Sequence, residues 1–329
     1  MKVLVTGGAG YIGSHVVRQL AAAGHDIVVF DNLSTGYRWA VTAGELVVGD
    51  LADEQAIEAV FSQHKFEAVL HFAANIVVPE SVSNPLKYYS NNTRNTLNLL
   101  KAVESHQVPY MVFSSTAAVY GMPEETVLTE DLPLAPINPY GASKMMSERM
   151  MMDLAAASSL NYVILRYFNV AGANPEGLLG QATPEATHLI KVASECVTGQ
   201  REGMSVFGTD YETRDGTCIR DYIHVEDLAK AHVMALDYMA RGGESQVLNC
   251  GYGRGFTVRE VIDVVKAESG VDFPVTETGR RAGDPAALMA DNTRIKKVLG
   301  WQPDYDDLNT IVRTALAWEK IWLQKKAAD

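Results

Sequence analysis

The fold of this chain is decided by residues 1–15, which read MKVLVTGGAGYIGSH. The apolar run at residues 3–5 is bounded by glycine and predicts a short, buried strand. The amphipathic stretch at residues 11–23 predicts a helix that ends before Gly24, since glycine is common just past a helix C-terminus. Between strand and helix lies a turn that contains three glycines, Gly7, Gly10 and Gly13.

The glycine turn predicts a dinucleotide site. Glycine lets the backbone bend sharply and approach a ligand, and the helix start offers free N–H groups and partial positive charge to a pyrophosphate. The second predicted strand, residues 26–30, ends at Asp31, where a carboxylate binds a ribose 2′-hydroxyl and repels a 2′-phosphate. The carboxylate at this position favours NAD over NADP as the cofactor. Two alternatives stay open: the spacing G-x-x-G-x-x-G differs from G-x-G-x-x-G and suits a turn without ligand, and Asp31 can simply start a turn with Asn32.

Composition narrows the classes of partner. The chain has 28 Lys and Arg against 40 Asp and Glu, a net charge of −12, and no long basic run, so we expect no nucleic-acid partner. No apolar run approaches the ~18 residues that suggest a membrane span, and the glycine turn begins too early for a signal peptide. The cysteines form no C-x-x-C pair, so we expect a reducing cytoplasm, no disulfide framework and no metal site; they are Cys196, Cys218 and Cys250.

Strands and helices alternate along the first half of the chain. This alternation predicts an α/β fold with a doubly wound parallel sheet of the Rossmann type. We expect an NAD-binding domain at residues 1–173 and a smaller α/β substrate domain at 174–329, with segments near 220–250 returning to the first domain. Further strands are predicted at 46–48, 68–72, 110–114, 162–167 and 246–250, and helices at 53–63, 91–106, from 139, 184–199, 225–240, 257–269, 291–299 and 306–323.

Tyr140 and Lys144 are the candidate catalytic pair. Residues four apart on a helix share one face. A free tyrosine titrates near pH ~10, but an ammonium and the positive nicotinamide ring of NAD both favour the phenolate. Tyr140 can then take a proton from an alcohol whose carbon gives hydride to the cofactor. Thr116, in a run of hydroxyls after the fifth strand, is placed to hydrogen-bond the same oxygen. The alternative is a surface Tyr/Lys pair without chemical role.

Several motifs together resemble one family. G-x-x-G-x-x-G with Tyr-x-x-x-Lys resembles the extended short-chain dehydrogenase/reductase superfamily, and nearly the whole chain resembles its UDP-glucose 4-epimerase family. The long motifs around Arg220 and Arg281 are more specific than the glycine turn. The matching stretches are residues 5–15, 30–36, 113–119, 139–144, 165–173, 215–225 and 280–284.

The resemblance implies an isomerase of galactose metabolism that interconverts UDP-galactose and UDP-glucose through a 4-keto intermediate, with tightly bound NAD. It also implies a homodimer formed through helices such as those at 91–106 and 140–157. Tyr140 would be the base, assisted by Lys144 and Thr116. The implied cofactor site comprises Gly7, Gly10, Tyr11, Ile12, Gly13, Asp31, Asn32, Asp50, Leu51, Phe72, Ala73, Ala74, Asn91, Ser114, Tyr140, Lys144 and Tyr167.

The resemblance also implies a UDP-sugar site. Two arginines would grip the pyrophosphate, which agrees with bidentate recognition, although each arginine can instead pair with Asp221 or Asp284. Phe207 would lie beside the uracil, and Tyr167 beside the nicotinamide unless it is only a core aromatic. The implied residues are Thr116, Tyr140, Asn169, His188, Leu189, Ser205, Phe207, Arg220, Arg281 and Asp284.

Two positions depart from the family pattern or decide specificity. Ile76 stands where many relatives have a lysine that reaches the cofactor's ribose, so weaker NAD retention is expected. Leu288 falls where side-chain size decides whether an N-acetyl group fits, and the sequence leaves that choice open. Two alternative functions are a nucleotide-sugar 4,6-dehydratase and a non-catalytic NAD sensor. Ala117 and Ala118 argue against the first, because they cannot move protons, and the Tyr140–Lys144 pair argues against the second.

Overall fold

A computed structural model describes residues 1–281 and 283–328 of the chain. Its strands are β1 Lys2–Thr6, β2 Asp26–Asp31, β3 Glu45–Val48, β4 Ala68–His71, β5 Tyr110–Ser114, β6 Val127–Leu128, β7 Asn161–Tyr167, β8 Asn169–Ala171, β9 Met204–Phe207, β10 Ile219–His224, β11 Gln246–Cys250, β12 Gly255–Thr257, β13 Val275–Thr278 and β14 Ala287–Ala290. Its α-helices are α1 Tyr11–Ala22, α2 Glu54–Gln63, α3 Val78–Ser83, α4 Pro85–Tyr88, α5 Asn95–Ser105, α6 Pro139–Ala157, α7 Leu189–Val197, α8 Val225–Ala240, α9 Val258–Ser269, α10 Thr293–Leu299 and α11 Leu308–Ala328.

A parallel sheet of seven strands, in the order β11-β7-β5-β4-β1-β2-β3, forms the centre of the molecule. Successive side chains of a strand point to opposite faces. Val3 and Val5 therefore join the core that contains α1 and α8, whereas Leu4 joins the core that contains α2 and α5. Helices thus cover both faces, and the predicted α/β fold with a doubly wound parallel sheet is confirmed.

Local chemistry explains where several helices begin and end. The Asp53 carboxylate accepts hydrogen bonds from the backbone N–H groups of Gln55 and Ala56 at 2.9 and 3.1 Å, so Asp53 is the N-cap of the helix expected at 53–63. Thr257 caps α9 and forms a capping box with Glu260. Gly24 follows α1 with φ of +83°, a conformation that glycine adopts without strain. These predicted helix ends are confirmed.

The second half of the chain, together with β6, forms smaller sheets that the sequence does not predict. β10 pairs with β12, β14 and β8, β14 pairs with β6, and β9 pairs with β13. These strands have two to six residues. Runs this short contain too few residues for a periodicity to identify them, and their partners lie far away in sequence. β11, in contrast, was expected as a strand and lies at the edge of the large sheet beside β7. The division at residue 173 stays a prediction.

Three helices differ from their predicted bounds. The helix expected at 91–106 is α-helical over Asn95–Ser105 and is preceded by a π-helical turn, Tyr89–Arg94. The helix expected at 184–199 covers only Leu189–Val197, and α11 continues to Ala328. α3 and α4 were not predicted because each is at most six residues long. Among the helices of the described ranges, none has both the length and the apolar composition that a bilayer crossing requires.

Candidate active site

A cleft of about 1620 Å³ runs along the carboxyl ends of the central strands. Ligands of doubly wound sheets bind at this edge. Residues from both halves of the chain line the cleft, from Gly7 on one side to Arg281 on the other. Of all the site residues expected from the sequence, only Ser114 and Lys144 are not part of this lining. The structure therefore brings the expected cofactor and nucleotide residues together in one space.

The glycine turn has the shape that a dinucleotide requires. Gly7 has φ of +73°, and a Cβ there would lie 2.5 Å from the Ala73 backbone nitrogen. A Cβ on Gly13 would lie 2.3 Å from the Gly7 carbonyl oxygen. Gly10 is the N-cap of α1 and brings no side chain to cap it. The first-turn N–H groups and the positive end of the helix dipole are consequently available to a pyrophosphate.

Asp31 stands at the tip of β2 and is 8% exposed. Its carboxylate accepts the Ala9 N–H at 3.0 Å and the Leu33 N–H at 2.8 Å, which holds Leu33 at φ of +58°. Burial raises the pKa of Asp31, and these two hydrogen bonds lower it. Next to it, Asn32 donates to Asp50 at 2.9 Å. The fixed carboxylate keeps lone pairs for ribose hydroxyls, so turn and acid together fit NAD.

Tyr140 begins the chemical part of the site. It lies in the first turn of α6, after the N-cap Asn138, and it lines the cleft although it is only 7% exposed. Burial raises the pKa of the Tyr140 phenol above its ordinary value, Tyr167 adds to the rise, and the Thr116 hydroxyl acts in the opposite direction. Thr116 lines the same cleft, so a substrate hydroxyl placed there meets both oxygen atoms.

Lys144 lies behind the cleft lining, one helical turn after Tyr140. Its Nζ stands 4.2 Å from the centre of the Phe113 ring, and the residue is 3% exposed. Burial lowers the pKa of Lys144 to about 7, and the Glu148 carboxylate partly restores it. Lys144 therefore approaches the site from within the protein and not from solvent. Its effect on the pKa of Tyr140 stays a prediction, because burial of the phenol dominates in the protein alone.

A buried polar network stands behind these groups. Glu148, on the same helix, binds Arg166 Nη2 at 2.6 Å and also accepts a hydrogen bond from Ser115. Arg166 lies in β7 next to Tyr167, whose hydroxyl accepts a hydrogen bond from Ser114 at 3.2 Å. Ser114 thus lies behind the cleft lining and is hydrogen-bonded to Tyr167, which is part of it. Because Glu148 and Arg166 are 1% and 3% exposed, this ion pair joins α6 rigidly to the sheet.

The nucleotide end of the cleft is formed by the second half of the chain. The Arg281 guanidinium lies 3.6 Å from the centre of the Phe207 ring, and Arg220 reaches Asp284 at 3.5 Å. Arg220 also donates to the carbonyl oxygens of Ile219 and Pro285. These contacts keep two guanidinium groups at one end of the cleft. The alternative of ion pairing holds for Arg220, which pairs with Asp284. Asn169, His188, Leu189, Ser205 and Leu288 also line this half.

Some residues that shape the site carry no sequence signal. Asn92, 2% exposed, accepts the Asn75 N–H at 2.8 Å and donates to the Asn75 carbonyl and to the Ser143 hydroxyl, both at 3.0 Å. It therefore joins the loop after β4 to α6, while its neighbour Asn91 lines the cleft. Both asparagines lie in the π-helical turn, which a 3.6-residue period does not reveal. Ser34, Thr35 and Gly36 likewise line the cofactor side.

Comparisons with known proteins agree with this geometry. The model of the family described as "NAD dependent epimerase/dehydratase family" matches residues 3–251. The chain is 56% identical to UDP-glucose 4-epimerase of Azospirillum brasilense, over 97% of this chain and 92% of that protein. The solved UDP-glucose 4-epimerase of Brucella ovis in complex with NAD superposes with a TM-score of 0.93 at 45% identity, covering 96% and 97% of the two chains. That of Bifidobacterium longum, with NAD+ and UDP, gives 0.92 at 37% identity over 98% of both.

Proposed function

Because this chain belongs to the NAD-dependent epimerase/dehydratase family, we propose that it interconverts UDP-galactose and UDP-glucose while its NAD stays bound. The observation that carries this proposal is the joint placement of Tyr140, Thr116 and two arginines in one cleft. The phenol and hydroxyl suit a sugar alcohol, and the guanidinium groups at the far end suit a diphosphate.

The residues divide the reaction among them. Tyr140 takes the proton of the sugar 4-hydroxyl, and Thr116 hydrogen-bonds the same oxygen. The glycine turn and Asp31 would hold NAD, which would supply reversible hydride chemistry at C4 of the sugar. Arg220 and Arg281 hold the diphosphate while the 4-keto sugar turns, so that hydride returns to its opposite face and Tyr140 gives the proton back. A positioned base of this kind contributes roughly 10²–10⁴-fold to the rate.

The same site disfavours a 4,6-dehydratase. Elimination needs an additional acid and base beside the hydroxyl at the end of β5. Ala117 and Ala118 occupy those positions, in a single 3₁₀ turn that lines the cleft directly after Thr116. Methyl groups transfer no protons, so the structure supports epimerisation as the reaction that this cleft performs.

The test is incubation of the purified protein with UDP-galactose, without added NAD, and separation of the nucleotide sugars by anion-exchange chromatography. We expect UDP-glucose to accumulate to a constant ratio that is also reached from UDP-glucose. No conversion even with NAD supplied would reject the proposal. A parallel incubation with UDP-N-acetylgalactosamine decides whether the pocket beside Leu288 also admits an N-acetyl group.

A homodimer in a reducing cytoplasm completes the proposal. Apolar side chains lie exposed on adjoining helices: Val82 is 64%, Leu86 74%, Leu97 43% and Met146 40% exposed. Such surface supports pairing with a second copy. The three cysteines are buried and unbridged, as is common in reducing compartments. Light scattering during gel filtration tests the dimer, and a mass of one chain at micromolar concentration would contradict it.

A further inference from the structure

Four aromatic side chains from opposite ends of the sequence form one cluster, here called the aromatic clamp: Tyr37, Trp39, Trp318 and Trp322. Ring centres lie 5.4 Å apart for Tyr37–Trp39, 5.2 Å for Tyr37–Trp322, 5.7 Å for Trp39–Trp318 and 5.6 Å for Trp39–Trp322. Lys325 Nζ lies 4.4 Å from the centre of the Trp39 ring. The clamp therefore attaches α11 to the loop that follows β2.

One side of the aromatic clamp is continuous with the cofactor site. Residues 34–36 line the cleft directly before Tyr37, and the Tyr37 N–H donates to the Ala9 carbonyl at 3.0 Å. A Cβ on Gly36 would lie 2.8 Å from the Ala9 carbonyl carbon. The loop is thus packed directly on the glycine turn. Movement of Tyr37 away from α11 would open the cleft beside the dinucleotide.

The other side of the aromatic clamp holds the loop at residues 173–182. Trp318 Nε1 donates to the Gln181 carbonyl at 3.1 Å, and the Tyr37 hydroxyl donates to the Ala182 carbonyl at 3.3 Å. A Cβ on Gly180 would lie 2.3 Å from the Trp318 ring, so the indole occupies all the space there. Gln181 also lines the cleft and bonds His188 at 2.9 Å.

We propose that the aromatic clamp retains NAD by preventing the loop at residues 34–37 from lifting off the glycine turn. Residues 34–36 form part of one wall of the cleft. Two indoles of α11, those of Trp318 and Trp322, hold this wall through their contacts with the rings at positions 37 and 39. Position 76 is isoleucine and therefore offers the cofactor no cation. The aromatic clamp retains NAD in the absence of that contact. The residues act through the loop and do not touch the ligand, so they are positioning residues.

The experiment compares NAD dissociation from purified Trp39→Ala, Trp39→Phe and wild-type protein. After gel filtration, NAD per chain is measured enzymatically in the heat-denatured supernatant, and the release rate is followed with a dehydrogenase that captures free NAD. We expect Trp39→Ala to release NAD at least about tenfold faster, because three ring contacts are lost. Trp39→Phe should restore most of the retention, since an aromatic ring remains.

Ile321→Ala is the matched control. Ile321 lies on α11 beside Trp322 and packs against the same cluster from the side of Gly177. The substitution Ile321→Ala removes a comparable apolar contact, and we expect it to leave the rate of NAD release at the wild-type value. Tyr37→Phe, which deletes only the hydroxyl bond to Ala182, is the milder second variant and should give a smaller acceleration. It decides the question if Trp39→Ala does not fold, as judged by circular dichroism with saturating NAD.

Wild-type release from both Trp39→Ala and Tyr37→Phe would overturn the proposal, and so would equal acceleration in Ile321→Ala. The readout is the cofactor itself, so it does not depend on the identity of the sugar. Epimerisation is measured separately with saturating NAD, where Trp39→Ala should reach the wild-type kcat. Failure of epimerisation in the wild type would reject the proposed function and leave the NAD measurement valid.

Discussion

The guanidinium of Arg281 stacks on the Phe207 ring at 3.6 Å, whereas that of its neighbour Arg280 points to another partner. Arg280 Nε donates to Asp210 at 2.7 Å and its guanidinium lies over Tyr211. Only Arg281 lines the cleft. Two adjacent, equally charged side chains therefore have different surroundings, which provides an internal comparison for the role of a single cation.

Arg281→Ala should raise the KM for UDP-galactose about tenfold to a hundredfold, because a charged hydrogen bond contributes about 1.5–3 kcal/mol. The kcat should change less, since the diphosphate lies away from the reacting carbon. Arg280→Ala removes an exposed ion pair and should leave the KM within about twofold. Initial rates over a range of substrate concentrations check both values. Equal effects of the two substitutions would contradict the assignment of Arg281.

Tyr140→Phe should retain NAD and lose activity by roughly 10²–10⁴-fold, because the ring stays while the base is removed. NAD per chain and the rate of UDP-galactose conversion are measured on the same sample. Tyr110→Phe, in β5 and outside the cleft lining, serves as the control and should keep the wild-type rate. Full turnover by Tyr140→Phe would instead favour a non-catalytic NAD-binding protein or a different base.

Glu148→Gln should lower the free energy of unfolding by about 3–5 kcal/mol, because it leaves the Arg166 cation buried without its partner charge. The same helix carries a second ion pair, Arg149–Asp153, at 2.8 Å, whose side chains are 75% and 62% exposed. Asp153→Asn should cost less than about 1 kcal/mol. Urea unfolding with saturating NAD measures both. If Glu148→Gln lowered the free energy of unfolding no more than Asp153→Asn does, the buried Glu148–Arg166 pair would not be essential for stability.

Stability should fall as the pH decreases below about 6.5. Burial lowers the pKa of His71 to about 3, of His224 to about 3 and of His232 to about 4. Between these values and the ordinary pKa near ~6.5, the unfolded chain binds more protons than the folded one, so the free energy of unfolding rises with pH and is fully regained above that range.

The substitution His232→Leu measures the contribution of one of these histidines to the pH dependence of stability. The ring of His232 is buried 4.8 Å from that of Phe72. Without it, the slope of unfolding free energy against pH between pH 5 and 6 should be shallower by up to about 1.4 kcal/mol per unit. Urea unfolding at several pH values measures the slope. Identical slopes for wild type and variant would mean that His232 is protonated in the folded state as readily as in the unfolded one.

The first half of the fold, the glycine turn, Asp31 and the catalytic pair follow from local sequence patterns, whereas the other site residues were expected from the family resemblance. Rules that need only neighbouring residues are enough to predict the apolar strands, the glycine turn, Asp31 and the four-residue spacing of Tyr140 and Lys144. These rules place groups on an edge or on a helical face, and in the structure the turn glycines, Asp31 and Tyr140 line one cleft. Burial depth does not follow from spacing, which is why the position of Lys144 behind the lining was not predicted.

What the sequence does not predict depends on contacts between distant segments. The short strand β14 pairs with β10, whose aligned residues are 68 positions away, and with β6, whose aligned residues are 162 positions away. Trp39 and Trp318 meet across most of the chain, and no periodicity relates them. The π-helical turn at Tyr89–Arg94 stands where a continuous α-helix was expected. In each case tertiary packing decides the outcome, and propensity alone carries no information about it.

The pairing of β11 with β7 has a consequence for synthesis on the ribosome. Val163 aligns with Gln246, so β11 can pair with β7 only after about eighty further residues have been synthesised. Until then β7 presents unpaired backbone groups along an apolar strand, the surface on which nascent chains associate wrongly. A truncated chain that stops before Gln246 should therefore aggregate, and chaperone demand should be greatest during translation of that interval.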